Sequence, residues 1–150
     1  QAKSKNIVFS IMSIASLLEN SELSPTLLSD RGEYLKALRQ GISGAIIKEA
    51  INELGERDLF ISLLETTSAN LNRFYHKKKL PRSAAEGILD TLRVIQDAVS
   101  VFGDMAMAHE WLHTSIPALA GEVPINLCDT FEGRKIVKES LKAIEYGEFS

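Results

Sequence analysis

A single cysteine in 150 residues, Cys128, excludes an internal disulfide framework and any multi-cysteine zinc site. The sequence has no P-loop, no GxGxxG and no GxSxG, and no His or basic residue near Cys128 marks it as a nucleophile. No alternating strand pattern and no Asn-Gly or Asp-Gly hairpin pair occurs, so a β architecture has nothing to build on. The apolar run Ile7–Leu18 is too short to span a bilayer. With 17 basic and 20 acidic residues the net charge is −3, which argues against a polycation that coats nucleic acid. What is present, 45% hydrophobic and 25% charged residues, describes one ordinary domain or two very small ones able to bury a core unaided.

The charge is unevenly spread. Between Thr66 and Ala85 there are five basic residues (Arg73, Lys77, Lys78, Lys79, Arg82) and no acid. The rest holds twelve basic against twenty acidic residues, a balance of −8.

Read along the chain, the signals are helical throughout. A first residue of Gln rather than Met suggests a trimmed or processed chain. Residues Ile7–Leu18 resemble a short signal-peptide core, but Ser10, Ser13 and Ser16 recur every three residues opposite Ile7, Ile11, Ile14, Ala15 and Leu18. We therefore read an amphipathic helix, a docking element rather than a targeting signal. Ser24-Pro25 and Ser29-Asp30 are helix starts, Tyr34, Leu35 and Leu38 form an apolar stripe, and Gly41 is a C-cap. Ile42–Leu54 reads as a helix with Ala45, Ile46, Ala50 and Leu54 inward, closed by Gly55. Glu56–Leu64 and Ser68–His76 are short helices around a turn at Glu65–Thr67. Ser83 and Glu86 form a capping box for a long helix with the stripe Ile88, Leu92, Ile95, Val99 and Phe102. Asp104 caps the next helix, in which Met107, Ala108, Trp111 and Leu112 share a face and Trp111 is a core residue. A turn through Pro117, Gly121 and Pro124 leads to a short helix ending at Leu127, and a last helix spans about Thr130–Tyr146. The expected fold is all-α.

Leu63–Pro81, LLETTSANLNRFYHKKKLP, resembles the Xre/lambda-repressor type of helix-turn-helix, with Leu71, Arg73, Phe74, Leu80 and Pro81 in register. Glu65 departs from the pattern, standing where that family often has Gly. Leu71 and Phe74 would anchor the second helix, leaving Thr67, Ser68, Asn70, Asn72 and Arg73 toward a major groove. Arg suits guanine and Asn suits adenine there. Lys77, Lys78 and Lys79 would meet phosphates and set affinity and its salt dependence. Such modules generally act as dimers, which implies a homodimer or a larger complex.

Val101–Ser150 is similar to the C-terminal toxin-binding domain of Xre/MbcA/ParS-type antitoxins. The likeness rests on Phe102-Gly103, Ala108, Trp111-Leu112, Pro117, Leu119, Gly121, Pro124, Leu127, Asp129-Thr130, Gly133, Leu141 and Gly147. The resemblance implies a bacterial, cytoplasmic type II antitoxin of a RES–Xre system. Its partners would be a RES-domain toxin, which consumes NAD⁺ or uses it for ADP-ribosylation, and operator DNA, bound to autoregulate transcription. By position in the family, Lys142, Ile144, Tyr146, Gly147, Glu148 and Phe149 are the candidate toxin contacts. Tyr146 and Phe149 flank a glycine and could be interface anchors; alternatively Tyr146 folds back onto its own core. The organisation expected is a helical extension (1–41), a helix-turn-helix domain (42–103) and a toxin-binding domain (104–150). No catalytic residue, metal, cofactor or membrane contact is assigned.

Two other readings compete: a helix-turn-helix regulator without a toxin partner, and a small zinc peptidase. The second rests on His109-Glu110-Trp111-Leu112-His113, a literal HExxH. The helical wheel sets both histidines opposite the apolar face, toward solvent rather than into a walled cleft. Binding of a metal without catalysis suits that placement better.

Overall fold

Helix boundaries follow from side chains that satisfy the first backbone N–H groups of each turn. The computed structural model describes residues 14–147. Its elements are α1 (14–20), α2 (Arg31–Gln40), α3 (Ala45–Leu54), α4 (Arg57–Leu63), α5 (Leu71–Tyr75), α6 (Arg82–Phe102), α7 (Met105–Leu112) and α8 (Phe131–Glu145), with single 3-10 turns at Ser68–Asn70, Pro117–Leu119 and Pro124–Leu127. Asp30 Oδ1 accepts from the Glu33 N–H at 2.9 Å, Asp104 Oδ1 from Met107 at 2.8 Å and Thr130 Oγ1 from Gly133 at 2.9 Å. The only extended pairing among the described residues is an isolated bridge between Ile116 and Glu122. The fold is all-α.

The described residues fall into two compact units, an N-terminal one ending at Leu89 and a C-terminal one starting at Asp90. In the N-terminal unit Ile14, Leu17 and Leu18 of α1 are buried, and Ala15 is exposed although the sequence placed it on the apolar side. The expectation for Ile7–Leu18 otherwise lies, through residue 13, outside the described residues. α2 buries no residue: Leu35 is 52% exposed, and Tyr34 and Leu38 are half-buried, so the stripe expected there is only partly covered. α3 begins at Ala45, not Ile42, and buries Ile46, Ile47 and Ala50 while Ala45 faces out. α3 packs on α4 and α5.

The delayed start of α3 has a local cause. Residues 41–44 run beside the exit of α5: Gly44 N–H donates to the Lys77 carbonyl at 2.8 Å, and Leu80 N–H donates to the Ile42 carbonyl at 2.8 Å. These bonds hold the chain out of the helix, and a Cβ at Gly44 would stand 1.6 Å from the Phe74 carbonyl oxygen.

The turn after α4 explains the sequence irregularity at Glu65. Its φ is +52°, in the left-handed region that costs a non-glycine residue about 1 kcal/mol. Glu65→Gly should therefore stabilise the unit by roughly 0.5 kcal/mol, the relief of strain outweighing the added unfolded-state entropy. A urea titration would show it as a higher midpoint at unchanged slope.

α6 starts at Arg82, one residue before the Ser83 expected to cap it. The Pro81 carbonyl accepts the Ala85 N–H at 3.0 Å, so Ser83 lies in the first turn. Ile88, Leu92 and Ile95 of its stripe are buried, and Val99 and Phe102 are half-buried.

In the C-terminal unit α7 and α8 both pack on the 3-10 turn at Pro124–Leu127. A Cβ at Gly133 would lie 1.7 Å from the Leu127 carbonyl oxygen, so that approach depends on glycine. α7 buries Met105, Ala108 and Leu112. Met107, which the sequence placed with them, is 55% exposed, because at 100° per residue it stands more than a quarter-turn from Ala108 and Leu112. Trp111 is half-buried, its ring centroid 5.7 Å from that of Phe102.

Candidate functional site

Two surfaces carry the residues singled out by sequence, one in each unit. On the N-terminal unit, α4, the turn at 64–67 and the segment from Ser68 to Tyr75 form a short helix, a turn and a second short helix. Leu71 is buried and fixes the second helix to its unit; Phe74, expected to share that role, is half-buried. Thr67, Ser68, Asn70, Asn72, Arg73, Lys77, Lys78 and Lys79 are all exposed.

A hollow of about 360 Å³ is lined by Thr66, Asn70, Arg73, Phe74, His76 and Lys77. No acid lines it, so its charge is positive. Lys77 Nζ lies 5.3 Å from the centre of the Phe74 ring, a cation–π contact that steadies the lysine. Arg57, on α4, donates through Nη1 to Ser68 Oγ at 2.8 Å. That bond ties the first helix to the start of the second and adds a cation that the sequence reading did not include. The lysine run leaves α5 through the two backbone bonds to residues 42 and 44, which fix its direction.

On the C-terminal unit the inward face of α8 is Gly133, Arg134, Val137 and Leu141. Of the expected tail contacts, Lys142, Tyr146 and Gly147 are exposed and Ile144 is half-buried; Glu148 and Phe149 lie outside the described residues. Tyr146 is 71% exposed, so it does not fold back onto its own core. Phe131, at the other end of α8, is equally exposed, and Ile136 is partly so. The sequence reading did not include Phe131, although its wheel position, off the arc of Val137 and Leu141, was the available signal.

A buried polar cluster holds that helix to α6. Arg134 donates through Nε to Asp90 Oδ2 at 2.8 Å and through Nη1 to the Cys128 carbonyl at 2.9 Å, and Lys138 closes on the other carboxylate oxygen. Burial pushes the Asp90 carboxyl up, but the hydrogen bonds and charges of Lys138 and Arg134 outweigh it and leave its pKa below the ordinary value. Cys128 is buried, consistent with packing.

Residues 97–147 match the family described as the antitoxin Xre/MbcA/ParS C-terminal toxin-binding domain. The C-terminal third of the chain is thus a domain of the Xre/MbcA/ParS toxin-binding kind. Over 129 residues the chain is 25% identical to the Prs ADP-ribosylating antitoxin of Sphingobium sp. (strain YBL2), an alignment covering 79% of this chain and 81% of that relative. The sequence marks from Phe102 to Gly147 all lie in the matched span, which takes in the end of α6, all of α7 and all of α8. The matched domain thus displays Met107, Phe131 and Tyr146. No helix among the described residues is long and apolar enough to cross a membrane.

Proposed function

We propose that this antitoxin neutralises a RES-domain toxin through the surface of α8 and the tail that follows it, and that it binds operator DNA through the basic surface of the N-terminal unit. The observation that carries the first part is the exposure of Tyr146 at the end of a helix inside the toxin-binding domain. An aromatic left in water at that position is suited to fill a pocket on a partner, with Lys142 and Gly147 beside it. The name of the relative, a Prs ADP-ribosylating antitoxin, favours a toxin that uses NAD⁺.

The DNA part rests on the acid-free surface around Arg73. Exposed Ser68, Asn70, Asn72 and Arg73 supply donors and acceptors of the kind that read base edges, and Lys77, Lys78 and Lys79 supply charge for phosphates. A homodimer would set two such surfaces on a palindromic site.

One coexpression experiment with a RES-domain toxin encoded beside the gene tests both parts. Tyr146→Ala should weaken the complex about tenfold or more and raise toxicity. Replacing Arg73 and the three lysines by alanine should abolish promoter binding and leave neutralisation intact. With the three lysines of each protomer of the dimer on phosphates, the logarithm of DNA affinity should fall against that of salt with a slope of about −5. Unchanged neutralisation by Tyr146→Ala, or loss of both activities in the basic variant, would refute the division of labour.

A further inference from the structure

The HExxH pentapeptide is the motif that toxin and DNA binding leave unused. His109 lies in the last turn of α7 and His113 is its C-cap, one helical turn apart on the same side, and both are exposed. Their rings stack with centroids 4.0 Å apart and planes inclined by 26°. A ligating nitrogen of one lies within 4.8 Å of a ligating nitrogen of the other. Two imidazole nitrogens on one tetrahedral ion at ordinary bond lengths sit about 3.3 Å apart, so small side-chain rotations bring them onto a shared ion.

His113 is also oriented for ligation. Its Nδ1 is 2.8 Å from the His109 carbonyl oxygen. A carbonyl only accepts, so that contact places the proton on Nδ1 and leaves Nε2 as the unprotonated, ligating nitrogen. A backbone carbonyl on the second nitrogen is the usual way a metal-binding histidine is held. The position at the C-terminal end of α7 contributes as well, since the carbonyl ends of the last turn carry partial negative charge and favour a cation.

We infer that His109 and His113 form a bidentate binding site for a borderline divalent transition metal (Zn²⁺, Ni²⁺ or Cu²⁺) on the antitoxin domain. Imidazole nitrogen suits these ions, whereas Mg²⁺ and Ca²⁺ prefer oxygen. The bound ion cross-links the last turn of α7, so binding and helix stability are coupled. The site does not depend on which toxin the antitoxin neutralises, so its test is separate from that of the proposed function.

The full chain is titrated with Ni²⁺, Zn²⁺ and Cu²⁺ by calorimetry, with Cu²⁺ also followed by electron paramagnetic resonance. One equivalent is expected to bind, with two-nitrogen ligation in the Cu²⁺ spectrum and slowed amide exchange at residues 109–113. His109→Gln and His113→Gln should each weaken binding tenfold or more, while Glu110→Gln and His76→Gln should leave it unchanged. Circular dichroism checks that these surface variants remain folded. Should both histidine variants bind as the parent does, or should His76→Gln remove the bound ion, the assignment fails. Loss of binding in Glu110→Gln would also overturn it, because the carboxylate and not the imidazole pair would then hold the metal.

Discussion

Alanine at Gly44 should destabilise the N-terminal unit by about 3 kcal/mol, at the upper end of what overpacking costs, and remove DNA binding. The added methyl would stand 1.6 Å from the Phe74 carbonyl oxygen and 2.8 Å from its carbonyl carbon. Those atoms are backbone, so no side-chain rotation relieves the clash. Either α5 or the start of α3 must move, and both anchoring bonds, Gly44 to Lys77 and Ile42 to Leu80, run through the displaced stretch. The lysines at 77–79 leave α5 along that stretch, so their positions change even in molecules that stay folded. Two measurements separate the effects: a denaturant midpoint, which should fall, and promoter affinity at a denaturant-free temperature well below the melt, which should drop by more than tenfold. Wild-type stability in this variant would mean that residues 41–44 do not clasp α5 as described.

That clasp also shows where sequence reading stopped. Local signals were legible because their physics is local: Asp30, Asp104 and Thr130 announce helix starts by supplying an oxygen to an N–H three residues on. The turn at Glu65 was legible as an oddity because a residue expected to be glycine was not one, and the left-handed φ supplies the reason. Gly44 gave no such signal, since the atom it avoids belongs to Phe74, thirty positions away. Nothing in the run ISGAII distinguishes a helix interior from a strap against another helix, and α3 was accordingly begun three residues early. Met107 was misplaced for the opposite reason. A wheel drawn for an eight-residue helix leaves the centre of the buried arc loosely fixed, and Trp111 drew it away from Met105. For the proposed toxin-binding surface, family position drew attention to Tyr146, and the folded helix shows that Phe131 is as exposed.

The polar cluster under α8 was invisible for the same reason as the clasp: Asp90 and Arg134 are 44 positions apart. Asp90→Ala should cost about 3 kcal/mol, because it leaves the Arg134 guanidinium buried with only the Cys128 carbonyl as partner. Lys138, at 30% side-chain exposure, can turn to water and contributes less to that cost. If burial of an unpaired charge is the cause, Asp90→Leu combined with Arg134→Met should recover much of the loss, whereas additive losses would point to side-chain packing instead. The same carboxylate makes stability depend on pH. Its folded pKa is lower than its unfolded value near 3.8, so its contribution is present above that value and is lost as pH falls through the lower folded one. Asp97, on the same helix, acts in the opposite sense. Although its side chain is exposed, partial desolvation raises its pKa, Lys138 and Arg93 partly offset this, and Glu145 and Asp90 add to it, so its protonation in acid relieves a small cost. Denaturant titrations from pH 6 to pH 3 should therefore show the parent losing stability most steeply at the acid end, and Asp90→Asn should flatten that slope. In Asp90→Asn the Asp97 effect remains, and it should leave a small gain in stability as the pH falls through its raised folded value. An acid slope as steep in Asp90→Asn as in the parent would show that other carboxylates, not this ion pair, hold α8 in place.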